Sequence, residues 1–447
     1  MTPVFRPTNS IQSWGRVIRS EHQAARPAFR DELGGLMDQL SPAAPGLAIG
    51  LRRSYGDSGL NPGGRVIDMT GLDRLIAFDR STGVMRGEAG VSLSQCLRAL
   101  VPAGWFLPTT PGASFVTLGG AVANDVHGKN HFSAGSFGNA VRRLGLRRTD
   151  GAVHDLQPGD PLFTATIGGL GLTGVIEWVE FQAVRIPSSW LDAEDVAFRN
   201  LDEFFDLSDE RKDTAEHAMA WVDGLAIGAS LGRGVYSFAN WSSANRSRQE
   251  KSAPERERPR KKMPMDAPGF LLNSFSVKAF NEIYNGLKTM QAGKRLTHHE
   301  PFLYPLDAIS DWNRLYGARG FYQYQSVVPT VTAREAVRDQ LKLIARSRQG
   351  SFLAVLKNMG PILSVGTLSF PMSGTTLAMD FPNRGKRTLQ LMSDLDRIVM
   401  EAGGRLYPAK DGRMSASMFQ AGFPQWKDFR AQVDPGLSSG FWRRVSA

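Results

Sequence analysis

Between residues 46 and 90 the apolar positions fall in short runs separated by turn-forming residues, the signature of strands. Gly46–Leu51 is apolar, Arg65–Met69 and Leu75–Phe78 follow, and Arg80-Ser-Thr-Gly83 makes a turn before Val84–Glu88. The spacing then changes. Leu93, Cys96, Leu97 and Leu100 recur at helical intervals, and Ser92 with Gln95 forms a capping box, so a helix is predicted over Ser92–Val101. Cys96 lies on its buried face and is expected to be a core residue, not a nucleophile. Residues 139–185 return to strands, with Asp150-Gly151 as the hairpin signal between Val141–Arg148 and Ala152–Leu156.

Near Pro187 the pattern loosens and a second region begins. Phe321–Val328 reads as a strand and Thr332–Ala345 as a helix capped by Thr332 and Glu335. Strands Phe352–Lys357 and Thr376–Phe381 and a helix near Thr388–Glu401 follow. That order suggests an antiparallel sheet with helices on one face, hence an α+β protein without internal repeats. The expected layout is a cofactor domain at 1–190, an inserted substrate domain at 191–400 and a C-terminal return at 401–447.

Composition fits this division. A chain of 447 residues exceeds one ordinary core, and 42% hydrophobic with 21% charged residues suits a folded globular protein. No apolar run is long enough for a transmembrane helix, and the N-terminus lacks the apolar stretch of a secretory signal. A single cysteine excludes an intramolecular disulfide framework and fits a reducing compartment. A cytoplasmic protein, or one peripheral at the inner membrane, is expected, with the periplasm left open. The net charge of +10 calls for anionic partners. No basic helix or aromatic-rich RNA motif appears, so nucleic acid is not expected. Part of the charge is local, since 246–262 holds eight basic and three acidic residues. That stretch reads either as a solvated linker or as an anchor for phosphates or an anionic membrane.

Gly169-Leu-Gly-Leu-Thr-Gly174 matches the dinucleotide fingerprint, but the residues after it alternate as a strand where the fingerprint needs a helix. The Rossmann reading is rejected. A better candidate is Arg53-Ser-Tyr-Gly-Asp-Ser-Gly59, a turn of small residues after a strand, either an ordinary surface turn or a cradle for pyrophosphate. The second is 111–130. Gly119, Gly120, Ala121 and Ala123 let backbone approach a large planar ligand, and the run ends in the polar group His127, Lys129, Asn130 and His131. The alternative there is a tight packing seam followed by a polar loop. No residue pattern points to a metal.

These stretches, at this spacing, resemble the FAD-binding domain of the vanillyl-alcohol oxidase and p-cresol methylhydroxylase fold. More closely, Arg53-Ser-Tyr-Gly-Asp57, Asn124-Asp-Val-His-Gly-Lys-Asn-His131 and Ser133-Ala-Gly-Ser-Phe-Gly138 resemble the decaprenylphosphoryl-β-D-ribose 2′-oxidase family. Later segments agree, among them Phe321-Tyr-Gln-Tyr-Gln325, Leu356-Lys-Asn-Met-Gly360 and Gly404-Arg-Leu-Tyr-Pro-Ala-Lys-Asp411. The resemblance implies FAD bound by a two-part α/β domain, beneath an inserted antiparallel-sheet cap. Arg53, Ser54, Tyr55, Gly56, Asp57 and Ser58, with Thr117, Leu118, Gly119 and Gly120, would hold the pyrophosphate, and Gly112 belongs to the same set. Asn124, Asp125 and His127 would run beside the flavin, with Gly174 and Ile176 near the adenine. Tyr407 and Lys410 would return to the isoalloxazine, where Lys410 and His127 are the expected catalytic pair. Lys129, Gln325 and Lys357 would contact substrate.

The first glycine loop has no histidine to tether FAD, so non-covalent binding is implied. The implied reaction oxidises the C2 hydroxyl of a polyprenyl-phosphate-linked ribose to a 2-keto sugar, which a separate NAD(P)H-dependent reductase would consume. Ala378 stands where mycobacterial members carry a pocket cysteine, which bears on specificity. The rival readings are a flavoenzyme of a soluble sugar, alditol or aldonolactone, and a scaffold protein that has lost its cofactor.

Overall fold

The computed structural model describes residues 3–243, 261–269 and 271–447. Most of the basic stretch, 246–260, and Phe270 lie outside the described residues. The N-terminal part carries two small sheets. One is mixed, ordered Arg6–Thr8, His22–Ala25, Arg65–Asp68, Ala48–Ile49, with its last two pairings parallel. The other is antiparallel, ordered Leu75–Phe78, Val84–Glu88, Val175–Gln182, Val141–Arg147, Val153–Leu156. The hairpin at Asp150-Gly151 forms as predicted, with Gly151 at φ 85° where a side chain would be strained.

The helix Leu93–Leu100 packs on this second sheet. Ser92 accepts from the Gln95 amide and Gln95 accepts from the Ser92 amide, so two otherwise orphaned N–H groups are satisfied. Leu93, Cys96, Leu97 and Leu100 are all buried. Burial drives the Cys96 thiol up to about 12, which leaves it an inert core residue. The strand expected at Gly46–Leu51 shrinks to Ala48–Ile49. Gly46 is drawn off to pair with Gly436 and Leu437, and after Ile49 the chain leaves the sheet. Gly169–Gly174 is followed by the strand Val175–Gln182, as the rejection of a Rossmann turn requires.

The second region is an eight-stranded antiparallel sheet, ordered Gly293–His298, Trp190–Phe198, Gly234–Trp241, His217–Val222, Ala354–Met359, Gly374–Pro382, Phe321–Pro329, Arg405–Leu406. The helices Leu201–Arg211, Ala333–Ser347 and Lys386–Glu401 bury their apolar stripes on one face. Strand alternation divides the residues. Tyr324, Leu356, Leu377, Met379 and Phe381 enter the core beneath the helices. Gln323, Gln325, Val355, Lys357, Thr376 and Ala378 face the other way, toward the glycine loops. The cap expected on Ala333–Ser347 is absent. Thr332 itself has helical dihedrals (φ −107°, ψ −3°), and its hydroxyl donates to the Ala402 carbonyl, joining this helix to the end of Lys386–Glu401. The C-terminal return expected from 401 begins as the edge strand Arg405–Leu406 of this same sheet.

Replacing Ser92 by Ala removes the hydroxyl that accepts from the Gln95 amide and leaves the reciprocal bond from the residue-92 amide in place. It should lower unfolding stability by about 1 kcal/mol, read as a shift of the denaturation midpoint at unchanged m-value.

Candidate active site

A cavity of about 540 Å³ lies between the two glycine loops and the face of the large sheet opposite those three helices. That volume is typical of small-molecule sites. Its first wall is the turn after Ile49. Arg52 sits at φ 57°, and the turn is fastened on both sides: Trp14 donates its amide to the Ser54 carbonyl, and the Tyr55 amide donates to the Ala409 carbonyl. The Arg53 guanidinium donates to the Leu51 carbonyl at 2.9 Å and lies 4.4 Å over the Trp14 ring. Ser13 and Ser58 line the cavity, and their buried hydroxyls have no partner.

The second wall is Thr117 and the helix Leu118–Ala123. The Thr117 hydroxyl accepts from the Gly120 amide at 3.1 Å. The amides of Leu118 and Gly119 donate to the carbonyls of Val91 and Ala89. This helix therefore offers bare, small-residue backbone for close approach, not a set of open amides. The two walls nearly touch, since a Cβ on Gly50 would lie 2.3 Å from the Thr117 hydroxyl.

Of the residues expected here, Arg53, Ser54, Tyr55, Gly56, Ser58, Gly112, Thr117, Gly119, Gly120, Asn124, His127, Gly174, Ile176, Tyr407 and Lys410 line the cavity, as do Lys129, Gln325 and Lys357. Three do not. Leu118 is fully buried in the core. Asp57 turns away to the Arg444 guanidinium, 2.6 Å distant. Asp125, at φ 39°, points into the protein and accepts from the hydroxyls of Ser136 (2.7 Å) and Ser369 (2.6 Å) and the Gly138 amide (2.8 Å). Its carboxylate is a buried cross-link that fixes the turn before His127 and does not reach the cavity.

At the inner end, His127 packs against aromatic rings, 5.3 Å from Tyr407 and 5.5 Å from Phe370. The Tyr407 hydroxyl donates to the Asn124 carbonyl at 2.8 Å. The Gln325 amide lies 3.1 Å from His127 Nε2 and 3.3 Å from the Thr376 hydroxyl. With Gln325 donating, Nε2 is the acceptor, and Nδ1, which is buried without a partner, carries the proton. Burial, reinforced by the charges of Lys357, His131 and Lys410, holds this imidazole well below its usual pKa and so neutral.

Three lysines face the cavity. Burial lowers Lys410 to about 8, opposed by Asp380, and its ammonium stands 4.0 Å over the Tyr55 ring. Lys129 falls to about 8 through burial and donates to the Leu303 carbonyl at 2.9 Å. Lys357 falls to about 7 through burial and the neighbouring Lys129 charge, and donates to the Gly128 carbonyl at 2.5 Å. Buried cations in one cavity call for an anionic ligand.

Sequence reading missed Asp380 and Gln323. Gln323 lines the cavity and donates to the Asp380 carboxylate at 2.7 Å, and Tyr316 donates to the same carboxylate at 3.3 Å. Burial raises Asp380 to about 7 despite these bonds and Lys410. The signal was present, because Asp380 stands in phase with Thr376 and Ala378 on an alternating strand. It becomes legible only once Gln323↔Asp380 and Gln325↔Ala378 are known to pair.

FAD fits these residues. Buried Ser13 and Ser58 hydroxyls and the Nδ1 of His127 await partners, small residues leave room for a planar ring, and Lys410 supplies charge at the inner end. The lining includes one histidine and no cysteine, so the first loop offers no tether.

Comparison with known proteins bears this out. Residues 36–157 match the FAD binding domain family. The chain is 38% identical over 399 residues to the decaprenylphosphoryl-beta-D-ribose oxidase of Mycolicibacterium smegmatis (strain ATCC 700084 / mc(2)155), spanning 87% of this chain and 86% of that one. It is 31% identical over 367 residues to a Streptomyces coelicolor protein described as an uncharacterized protein in the mprA 5′ region, spanning 79% of this chain and 100% of that one. An L-gulono-1,4-lactone dehydrogenase of Mycobacterium tuberculosis (strain ATCC 25618 / H37Rv) is 29% identical over 191 residues, 42% of each chain. Fold and site thus define an FAD-dependent oxidoreductase of the p-cresol methylhydroxylase type, with a non-covalent cofactor and an inserted antiparallel-sheet cap. Within that class, the chain belongs to the decaprenylphosphoryl-β-D-ribose oxidase family.

Two outcomes follow from this geometry. Asp125→Ala leaves the Ser369 hydroxyl and the Gly138 amide buried without this acceptor, while Ser136 keeps Asn139, and should cost about 2 kcal/mol or more of stability, with weakened FAD retention. Thermal melts and flavin fluorescence of the released cofactor read both. Secondly, Lys357 and Lys129 carry their protons below about 7 and about 8 and lose them above. Affinity for an anionic substrate should therefore fall as pH rises through that window, and Lys357→Met should flatten the lower part of the profile in equilibrium titrations.

Proposed function

We propose that this enzyme oxidises the C2 hydroxyl of a polyprenyl-phosphate-linked ribose, giving the 2-keto sugar of an epimerisation to arabinose. The observation that carries the reading is the group Lys129, Lys357 and Gln325, gathered on the cavity wall next to His127. The 38% identity to an oxidase whose name specifies decaprenylphosphoryl-ribose supports it. FAD, when bound, supplies the acceptor for the hydride leaving the sugar carbon.

The protein's residues divide the remaining work. Lys129 and Lys357 neutralise a phosphate, and their partial desolvation strengthens that attraction. Gln325, fixed by Thr376 and His127, presents its amide to sugar hydroxyls. His127, neutral and protonated at Nδ1, donates a hydrogen bond and orients what lies against it. Lys410 holds its proton on Nζ and fixes a positive charge where reduction brings negative charge. The Tyr407 ring closes the pocket from water.

A soluble lactone or alditol is the second reading, favoured by the likeness to L-gulono-1,4-lactone dehydrogenase, which covers 42% of the chain. The product of either reaction is a carbonyl compound, and the epimerisation reading assigns it to a separate NAD(P)H-dependent reductase. Among the described residues no helix is long and apolar enough to cross a membrane, and a peripheral position at the inner membrane would suit a lipid-borne substrate.

Anaerobic mixing with a short-chain prenyl-phosphoryl ribose should bleach the flavin absorbance and yield the 2-keto sugar, while aldonolactones leave the flavin yellow. Bleaching by a lactone alone would overturn the lipid-linked reading. Lys410→Met should retain FAD but slow this bleaching by about 10²–10³-fold, the cost of one removed electrostatic contact to developing charge.

A further inference from the structure

The helix Ser274–Met290 is amphipathic the wrong way round for a core element. It is anchored by buried Val277 and Asn281, by Tyr284 against Trp221 (4.8 Å) and by the Asn281 amide on Asp223 (2.8 Å). Its opposite side carries Phe275, Ala279, Ile283, Leu287 and Met290, spaced at intervals of three and four residues, with Phe280 beside them. These are exposed: Phe275 at 82%, Ile283 at 63%, Leu287 at 52% and Met290 at 84%. Such a continuous apolar stripe on a surface helix marks a docking face.

Its position is as telling as its composition. Phe280 stacks edge-on to Phe352 at 5.8 Å, and Phe352 and Leu272 pack in one cluster with Leu306, Trp312 and Leu353. Leu306, Trp312 and Leu353 also line the cavity, so the stripe runs without a polar break into the lip of the site. At that lip the strand Lys261–Lys262 pairs with Ile309–Ser310, which line the cavity too. Lys261 and Lys262 are exposed there, as are the apolar side chains of Met265, Leu271 and Ile309. Lys278, also exposed, stands on the helix Ser274–Met290 itself.

We infer that the helix Ser274–Met290 and the lip residues Lys261, Lys262, Met265 and Leu271 dock the enzyme onto an anionic bilayer surface, with the cavity mouth facing the lipid. Apolar side chains enter the interface while lysines meet headgroup phosphates, the arrangement of interfacial helices. The net charge of +10 favours this occupant over an apolar protein partner. The inference rests on the lipid-phosphate reading of the site, because docking there would deliver a membrane-borne headgroup to the lysines without extracting its chain.

The test uses the full-length, FAD-loaded protein and vesicles of equal parts phosphatidylcholine and phosphatidylglycerol. The wild type should co-sediment with them. The triple variant Ile283→Ser, Leu287→Ser, Met290→Ser should melt as the wild type does but bind about ten-fold or more weakly, having lost three interfacial side chains. Lys261→Glu with Lys278→Glu should weaken binding to these vesicles and leave any binding to pure phosphatidylcholine unchanged. Bleaching by a water-soluble short-prenyl phosphoryl ribose should be the same in wild type and triple variant. Vesicle binding unaltered by the triple variant would overturn the proposal. So would a stripe buried in a dimer, seen as concentration-dependent sedimentation that the triple variant abolishes. Stripe-dependent vesicle binding without any bleaching by the soluble substrate would sink the substrate reading alone.

Discussion

The architecture turns on one close approach, where the first glycine loop meets the C-terminal return. A Cβ on Gly56 would lie 1.6 Å from the Asp411 carbonyl oxygen, so backbone packs directly on backbone and only glycine is tolerated. Around this point the Tyr55 amide bonds the Ala409 carbonyl, and Arg444 bridges the carboxylates of Asp57 (2.6 Å) and Asp411 (3.1 Å). Two like charges beside one guanidinium would repel without it, and burial already raises the Asp57 carboxyl. The clamp sets the distance between the first glycine loop and Lys410. Hence Asp57 matters to the site without touching what the site holds.

From this clamp the charge pattern follows. Lys410 is held over Tyr55, with Asp380 behind it on the sheet and Gln323 and Tyr316 satisfying that carboxylate. Elsewhere on the cavity wall Lys357 and Lys129 bond backbone carbonyls, and burial lowers the pKa of both, with the Lys129 charge adding to the effect on Lys357. One end of the cavity is electrostatically balanced and the other is open to an anion. That gradient gives the pocket a direction. The apolar cluster at the lip adjoins the balanced end, since it includes Tyr55 and Tyr316.

Much of this was legible along the chain. The capping box at Ser92, the hairpin at Asp150-Gly151 and the alternation in Phe321–Pro329 are local rules of backbone and burial, and they hold in the fold. The small-residue run through Gly119 and Gly120 and the polar group after it do lie on one cavity. Sequence could not separate ligands from supports among neighbours. Asp125 and His127 are two residues apart, yet a positive φ at Asp125 sends its carboxylate inward to Ser136 and Ser369.

The sequence by itself therefore determined several of the elements, the flavoprotein family and a set of the residues on the cavity wall, because these depend on periodicity and on residue types at short spacing. Tertiary structure decided the rest: which of those residues reach the cavity, that Asp380 stands behind Lys410, and that the stripe of Ser274–Met290 faces solvent at the mouth. Those facts depend on strand register and on contacts between segments hundreds of residues apart. A shift of one residue in register would turn Gln325 and Lys357 into the core and Leu377 into the site.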